Sequence, residues 1–337
     1  MERLIIRADA NPQIGVGHLM RCKALGESWE TGKVTLITSC TNDKLLQKIR
    51  DEGFDIVSVT NHYPSPIDWK VTSDILSSYP EAWVVLDGYH FDSSYQYSIK
   101  QTHKLIVIDD NAHLNHYYSD IILNQNIHSK NTEYHCESYT KLLLGTEYNL
   151  LRKEFSTRKH KNISEVGRHI LVTLGGADYE NYTLKVINAI RSINIPDVAV
   201  IIVVGAENQN SRILEQAIKE SNIPMWIIKD SNKMVELMEW ADISISGGGT
   251  TVWELAFMGV PNLILVLAEN QYYVAEESQR YGSGINLGWA SRIMEYQIAG
   301  MLVDSMYDPT KRRGMSKRGQ QLIDGKGSER VVREMNR

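Results

Sequence analysis

The chain is poor in cysteine: three in 337 residues, Cys22, Cys40 and Cys136, scattered and odd in number. No C-x-x-C pair occurs, so neither a disulfide framework nor a structural zinc site is expected, and a reducing cytoplasm fits best. Basic charge is not in excess either. Thirty-six Lys and Arg stand against 41 Asp and Glu, a net charge of −5. Non-specific nucleic-acid binding needs a basic surface excess, so no nucleic-acid partner is expected, with local basic pockets left open. No run of about 20 apolar residues exists, so no membrane span is expected. The opening MERLIIRADA lacks the apolar stretch and small-residue cleavage site of a secretory signal. Low-complexity tracts and short internal repeats are absent. The expectation is a soluble, cytoplasmic, monomeric protein.

What is present is an α/β pattern. Hydrophobic residues make up 42% and charged residues 23%, enough apolar mass for two cores, and the length suggests two domains. Short β-branched runs at residues 4–7, 34–38, 55–59, 83–86, 104–108 and 121–123 read as strands. Helices begin near Gly17, Asp43, Ile67 and Asp92. In the second half, residues 169–174, 199–204, 225–228, 243–246 and 262–266 are near-continuous apolar runs, as expected of strands covered on both faces. Between them, Ile213, Leu214, Ala217 and Ile218 line one helical face, as do Met234, Leu237 and Met238. Repeated strand–helix–strand units predict doubly wound parallel sheets. The polar, aperiodic residues 156–168 read as a linker between domains at 1–155 and 169–337. The Lys- and Arg-rich tail, residues 308–337, reads as a solvated helical face, its last helix packing back on the N-terminal domain. Two such domains commonly place a site in their cleft, at the carboxyl ends of strands.

The motifs fall at strand ends. In RADANPQIGVGH, Gly15 and Gly17 lead from a strand into a helix with His18 in its first turn. Glycines there permit close backbone approach, and a helix N-terminus favours an anion. His18 is read as a general base or as a residue that merely caps or packs. The dinucleotide fingerprint fails, since Met20 holds the third glycine position, and no G-x-x-x-x-G-K-[ST] loop exists. In SGGGTTVWE, Gly247, Gly248 and Gly249 close a strand, and Thr250 and Thr251 open an amphipathic helix. Such a turn exposes backbone N–H groups suited to a diphosphate, and three adjacent glycines are entropically costly for a plain turn. Glu254, one helical turn on, reaches a ribose diol or is solvated. In LGGAD, Gly175 and Gly176 allow close approach, while Asp178 is equally well a helix cap. Asn270 and Gln271 bind a phosphate or sugar hydroxyl, or cap a helix. In LDGYH and IDDNAHLNH, Asp87, Asp109 and Asp110 are acidic residues at strand ends suited to binding a sugar, and Asp87 with Tyr89 is the candidate contact. Asp109, Asp110, His113 and His116 have no secured helical phase that would bring them together as ligands, so no metal is expected. No G-x-S-x-G or Cys–His pairing supports a covalent nucleophile.

These motifs together resemble the UDP-sugar hydrolases of pseudaminic acid biosynthesis and the related spore-coat polysaccharide biosynthesis proteins. The carrying blocks are RADANPQIGVGHLMRC, IDDNAHLNHYYSDIILNQN, LLLGTEYNLLRKEF, LVTLGGAD, SGGGTTVWELAFMGVP with AENQ, and DGKGSERVV. The second half also looks like the nucleotide-binding half of GT-B glycosyltransferases. The resemblance implies a GT-B fold, with two facing Rossmann-like domains and an interdomain cleft, a UDP-sugar substrate and metal-independent hydrolysis without a cofactor. It implies His18 as catalytic base and SGGGTTVWE as the holder of the UDP diphosphate and ribose. Asn11 and Pro12 depart from the small polar residues of the family. A UDP-sugar glycosyltransferase and a non-catalytic nucleotide-sugar-binding subunit are the alternatives.

Overall fold

The computed structural model describes residues 2–11, 15–155, 161–175, 178, 180–205, 208–231 and 233–337. The chain divides into two units, residues 1–153 with 325–337 and residues 154–324.

Unit 1 is built on a seven-stranded sheet. Its strands are β1 (Glu2–Ala8), β2 (Gly32–Thr38), β3 (Asp55–Ser58), β4 (Trp83–Asp87), β5 (Lys104–Ile108), β6 (Ile121–Asn124) and β7 (Lys141–Leu144). They lie in the order β3-β2-β1-β4-β5-β6-β7, and every pairing is parallel. The connecting helices are α1 (Gly17–Glu27), α2 (Asp43–Asp51), α3 (Pro66–Ser78) and α4 (Ser93–Lys100). Successive side chains on a strand point to opposite faces, and the sheet has a core on each. Leu4, Ile6, Leu36, Ile106 and Leu123 pack with Leu19 and Leu25 of α1. Ile5, Ile37, Val84, Val107 and Ile122 pack with Leu76 of α3 and Ile99 of α4. This two-sided burial explains the nearly unbroken apolar runs.

Unit 2 repeats the plan with β8 (His169–Thr173), β9 (Ala199–Val204), β10 (Met225–Lys229), β11 (Ile243–Gly247), β12 (Asn262–Val266) and β13 (Ile285–Trp289). These are again all parallel, ordered β10-β9-β8-β11-β12-β13. Its helices are α5 (Tyr182–Arg191), α6 (Ser211–Lys219), α7 (Met234–Trp240), α8 (Thr251–Met258), α9 (Tyr272–Tyr281), α10 (Glu295–Tyr307) and α11 (Pro309–Leu322). Residues 161–168 are tied to this unit: Lys161 donates to the Met238 and Glu239 carbonyls, and Ser164 to Asp242.

Three expectations need correction. Helix α8 is not amphipathic, because residues 252–258 are all buried. Ile213 is 53% exposed, leaving Leu214 and Ala217 as the buried face of α6. The basic tail is not simply solvated. Arg312 of α11 is fully buried and donates to the carbonyls of Ser164, Glu165, Ser305 and Met306. The last helix, α12 (Gly327–Met335), belongs to unit 1, where Val331 and Met335 join the core beside α1. A Cβ on Gly327 would collide with the backbone of Tyr148 and Asn149, so only glycine lets this helix start there.

Candidate active site

Each sheet reverses its strand order once, between β1 and β4 in unit 1 and between β8 and β11 in unit 2. In open α/β sheets, ligands bind outside the carboxyl ends of the strands at that reversal. Both groups of motif residues leave the sheet at these points.

In unit 1, Gly15 adopts φ 73° and its N–H donates to Asn11 O at 2.8 Å, closing the loop that delivers Gly17 to the start of α1. His18 follows in the first turn, its side chain 12% exposed. Its Nδ1 lies 2.7 Å from Asp87 Oδ1, at the end of β4. A carboxylate only accepts, so Nδ1 carries the proton and Nε2 is left with the lone pair. The Tyr89 and His18 rings meet edge to face, 4.9 Å between centroids and 88° between planes.

Arg21, three residues beyond His18 on α1, completes the cluster. Its Nε and Nη2 donate to the two oxygens of Asp87 at 2.6 and 2.7 Å, and its Nη1 donates to both oxygens of Asp110 at 2.9 and 2.8 Å. Tyr89 Oη and Asn126 Nδ2 also donate to Asp110, at 2.7 and 2.6 Å. Burial alone would push the Asp87 carboxyl up. Arg21, and then His18, override it and hold this group well below the usual carboxylate range. Burial works against the Arg21 charge as well, but Asp110 and Asp87 together raise its pKa well above the ordinary value. Asp87 is therefore a buried anion occupied by His18 and Arg21. It orients the imidazole and does not present an open carboxylate to a sugar.

The aspartates and histidines after β5 do not converge. Asp109 accepts the Asn111 and Ala112 N–H groups and the Tyr117 hydroxyl, with His113 Nδ1 at 2.8 Å. His116 pairs instead with Glu137, and Asp110 with Arg21. Among the described residues no group of three or more His, Cys, Asp or Glu is arranged to hold a metal ion.

In unit 2 the three glycines differ in why they are glycine. A Cβ on Gly247 would lie 2.8 Å from Leu267 Cδ1, and one on Gly248 would lie 2.8 Å from Gln271 Cβ. A Cβ on Gly249 would meet nothing within 4 Å. Packing thus demands the second, which also faces Gln271 O at 3.0 Å, whereas the first meets only the tip of a Leu side chain that can shift, and the third is an exposed glycine with open space before it. Helix α8 starts immediately after, at Thr251. The first N–H groups of a helix have no intrahelical acceptor and carry the positive end of its dipole, which suits an anion. Gln271 braces the turn, its Oε1 accepting from Gly248 N at 2.9 Å and Leu267 N at 3.2 Å. Asn270 is exposed in the same short 3₁₀ turn, Glu269–Gln271. Glu254 is buried, 8% exposed, and not solvated. Gly175, at φ 97°, ends the run after β8, and a Cβ there would also meet nothing within 4 Å. Gly176 lies outside the described residues. Asp178 accepts from Tyr182 N and Thr183 N at 2.8 and 2.7 Å, so it caps α5.

Sequence reasoning missed Arg21 and did not foresee Asp110 as its partner. The signal for Arg21 was its i+3 spacing from His18, which puts both on one helical face.

Residues 169–329 match the glycosyltransferase family 28 C-terminal domain. The spore coat polysaccharide biosynthesis protein SpsG of Bacillus subtilis is 24% identical over 97% of this chain and 96% of its own. A UDP-2,4-diacetamido-2,4,6-trideoxy-β-L-altropyranose hydrolase of Campylobacter jejuni is 21% identical, over 80% of this chain and 93% of its own. Among solved structures, Acinetobacter baumannii MurG superposes with a TM-score of 0.68 over 99% of both chains at 13% identity. The chain therefore has the GT-B fold, with two parallel-sheet Rossmann-like domains, and its second half is similar to the C-terminal domain of family 28 glycosyltransferases.

Proposed function

We propose that the protein is a metal-independent hydrolase that releases UDP from a UDP-linked 2,4-diacetamido-2,4,6-trideoxyhexose in nonulosonic (pseudaminic) acid biosynthesis. The observation that carries this reading is the Asp87–His18 pair, 2.7 Å apart, which joins the end of β4 to the first turn of α1. Its geometry supports an imidazole whose Nε2 accepts a proton while Nδ1 is pinned. The C. jejuni relative, which spans most of this chain, motivates the substrate.

In the proposed reaction, water attacks the anomeric carbon, a C–O bond forms, and the bond from that carbon to the diphosphate oxygen breaks. His18 Nε2 takes the water proton, a contribution of roughly 10²–10⁴-fold. UDP leaves with the bonding electron pair, and attack from the opposite side inverts the anomeric centre. The growing charge is met by N–H groups at Gly249, Thr250 and Thr251, a preorganised term of about 3–4 kcal/mol per well-placed donor. These donors take the part a divalent cation would otherwise play. Gly175 leaves room for the nucleotide, and Glu254 accepts from the ribose. Gly15, Gly17 and Tyr89 of unit 1 flank the sugar, with Asp87 acting through His18; in unit 2, Asn270 is the candidate contact to a phosphate or sugar hydroxyl and Gln271 acts through the glycine turn.

The test is UDP release from the 2,4-diacetamido-trideoxy-altrose nucleotide, with chelator present and no acceptor. Run in ¹⁸O-water, the reaction should label the sugar; label in UDP would mean attack at phosphorus and end the scheme. The second reading, a glycosyltransferase, is favoured by the family 28 match over residues 169–329. It predicts UDP binding, with release only when an acceptor is added.

A further inference from the structure

Unit 1 holds a second feature, separate from the His18 cluster. A pocket of about 360 Å³ lies at the carboxyl ends of β1, β2 and β3, lined by Asn11, Ser39, Thr41, Thr60, Asn61 and His62 among others. We infer that this pocket is the recognition subsite for the neutral, N-acylated sugar portion of the substrate, with Asn61 and Thr60 setting its specificity. The inference rests on the nucleotide-sugar reading above.

The chemistry of the lining selects the ligand. Among the described residues it is made of hydroxyls, carboxamides and one imidazole, without an ammonium, guanidinium or carboxylate. A phosphate would need cations or unpaired N–H groups at a helix start, and an amine would need carboxylates. The helix start that borders the pocket is already capped: the Ser65 hydroxyl accepts from Ile67 N, and Pro66 has no N–H. The buried cation of β1, Arg7, has no charge to spare. Arg7 is clamped by Asp9, at 2.5 and 2.8 Å, and by Asp68. Hydroxyls and carboxamides both donate and accept, which matches sugar hydroxyls. A carboxamide such as that of Asn61 can also exchange paired hydrogen bonds with an acylamino group.

The pocket is held in shape. Asp9 Oδ1 accepts from Ser39 N at 2.7 Å, fixing the loop after β2 to the buried Arg7. His62 Nδ1 lies 2.7 Å from its neighbour's carbonyl, Tyr63 O, so Nδ1 carries the hydrogen and Nε2 is an acceptor. Asn11 both lines the pocket and closes the loop onto Gly15, two residues before the helix that carries His18. Adjacent strands are about 4.8 Å apart. The β2 and β3 loops therefore stand one or two strand spacings from the reversal beside β1, a span suited to a sugar ring with an acyl arm. The volume sits at the small end of ligand pockets, enough for one sugar residue and too small for a whole nucleotide sugar.

The test uses methyl and side-chain amide NMR of the full chain, with N-acetylglucosamine, glucose, UDP and inorganic phosphate as probes. N-Acetylglucosamine should shift the Thr41 and Thr60 methyl signals and the Asn61 amide, more than glucose does. UDP and phosphate should leave them unmoved. Asn61→Ala should weaken the sugar response about tenfold and raise KM for UDP release by a similar factor with kcat nearly kept. Shifts caused by UDP or phosphate, or no shift with any probe, would overturn the subsite. The two readings fail separately. If UDP is never released yet N-acetylglucosamine still moves these signals, the hydrolase reading falls and the subsite stands. If hydrolysis proceeds while Asn61→Ala changes neither KM nor the spectra, the subsite falls and the hydrolase stands.

Discussion

His18 Nδ1 and Asp87 Oδ1 are joined at 2.7 Å, and Arg21 Nη2 lies 3.2 Å from the same nitrogen while donating to the same carboxylate. The Asp87 carboxylate accepts from the imidazole Nδ1–H and fixes its tautomer and orientation, while Arg21, which can only donate, holds that carboxylate in place. In a base that must present Nε2, this arrangement removes the competing tautomer.

The first prediction concerns that pair. Asp87→Asn keeps the volume but can turn an N–H toward His18, favouring the wrong tautomer. Turnover should fall by roughly 10²–10⁴-fold, close to the loss in His18→Ala, with UDP affinity nearly intact. The double variant should lose little more than either single one, because the two act as a unit. Additive losses in steady-state assays would mean that Asp87 does not act through His18.

The second concerns Arg21. Arg21→Met removes the common partner of Asp87 and Asp110, leaving two carboxylates buried together, at a cost of about 3–5 kcal/mol. The Asp87 pKa is lowered in the folded protein, so its pairing contributes stability above the unfolded value, about 3.9. That contribution is lost as pH falls below it toward the folded value. Urea unfolding should therefore show a large gap between wild type and Arg21→Met at neutral pH that narrows in acid. A gap that is constant with pH would separate the destabilisation from the Asp87 charge.

The third has the opposite sign. The hydrogen bond from His113 to Asp109 raises the His113 pKa against the effect of burial. Stability from this pair is fully present below the unfolded value, about 6.5, and is lost as pH rises through the higher folded value. His113→Gln keeps a donor without the charge. It should be less stable than wild type at about pH 5.5 and nearly equal to it at about pH 9 in urea titrations.

Much of the fold was legible because burial on both sheet faces forces apolar runs. Eleven of the strands fall where the sequence predicts them, the partly exposed edge strands β3 and β10 among them; the other two are β7 and β13. Strand β7 is a four-residue edge with Leu142 exposed, too short and one-sided to stand out. Strand β13 contains Gly288 at φ 85°, with a register shift against β12, which breaks the alternation. In the site, His18 and the three glycines were visible because their spacing is local. The function of Asp87 was not, because its partner Arg21 is 66 residues away and meets it only through the pairing of β1 with β4.

The fourth prediction separates the glycines. Gly248→Ala must displace Gln271, whose Cβ and backbone O would lie 2.8 and 3.0 Å from the new methyl, an overpacking cost of about 1–3 kcal/mol. Gly249→Ala meets no protein atom within 4 Å, so its thermal unfolding should match wild type. If the space before Gly249 is filled by the diphosphate, the same substitution should weaken UDP binding at least tenfold by calorimetry. Unchanged affinity would assign Gly249 to chain geometry alone.

The last concerns Gln271, which touches the glycine turn through its own oxygen. Gln271→Ala leaves the Gly248 and Leu267 N–H groups without that acceptor, costing about 1–3 kcal/mol if water does not replace it. Gln271→Glu keeps an acceptor in the same place and should restore thermal stability. It also puts a negative charge against the turn that the diphosphate is proposed to occupy, so UDP affinity should fall below that of Gln271→Ala. The order expected is wild type, then Ala, then Glu for UDP binding, but wild type and Glu above Ala for stability. A binding order that simply follows stability would show that Gln271 shapes the turn without the turn meeting the anion. The opposite ranking of the two properties is what a phosphate at Gly249 requires.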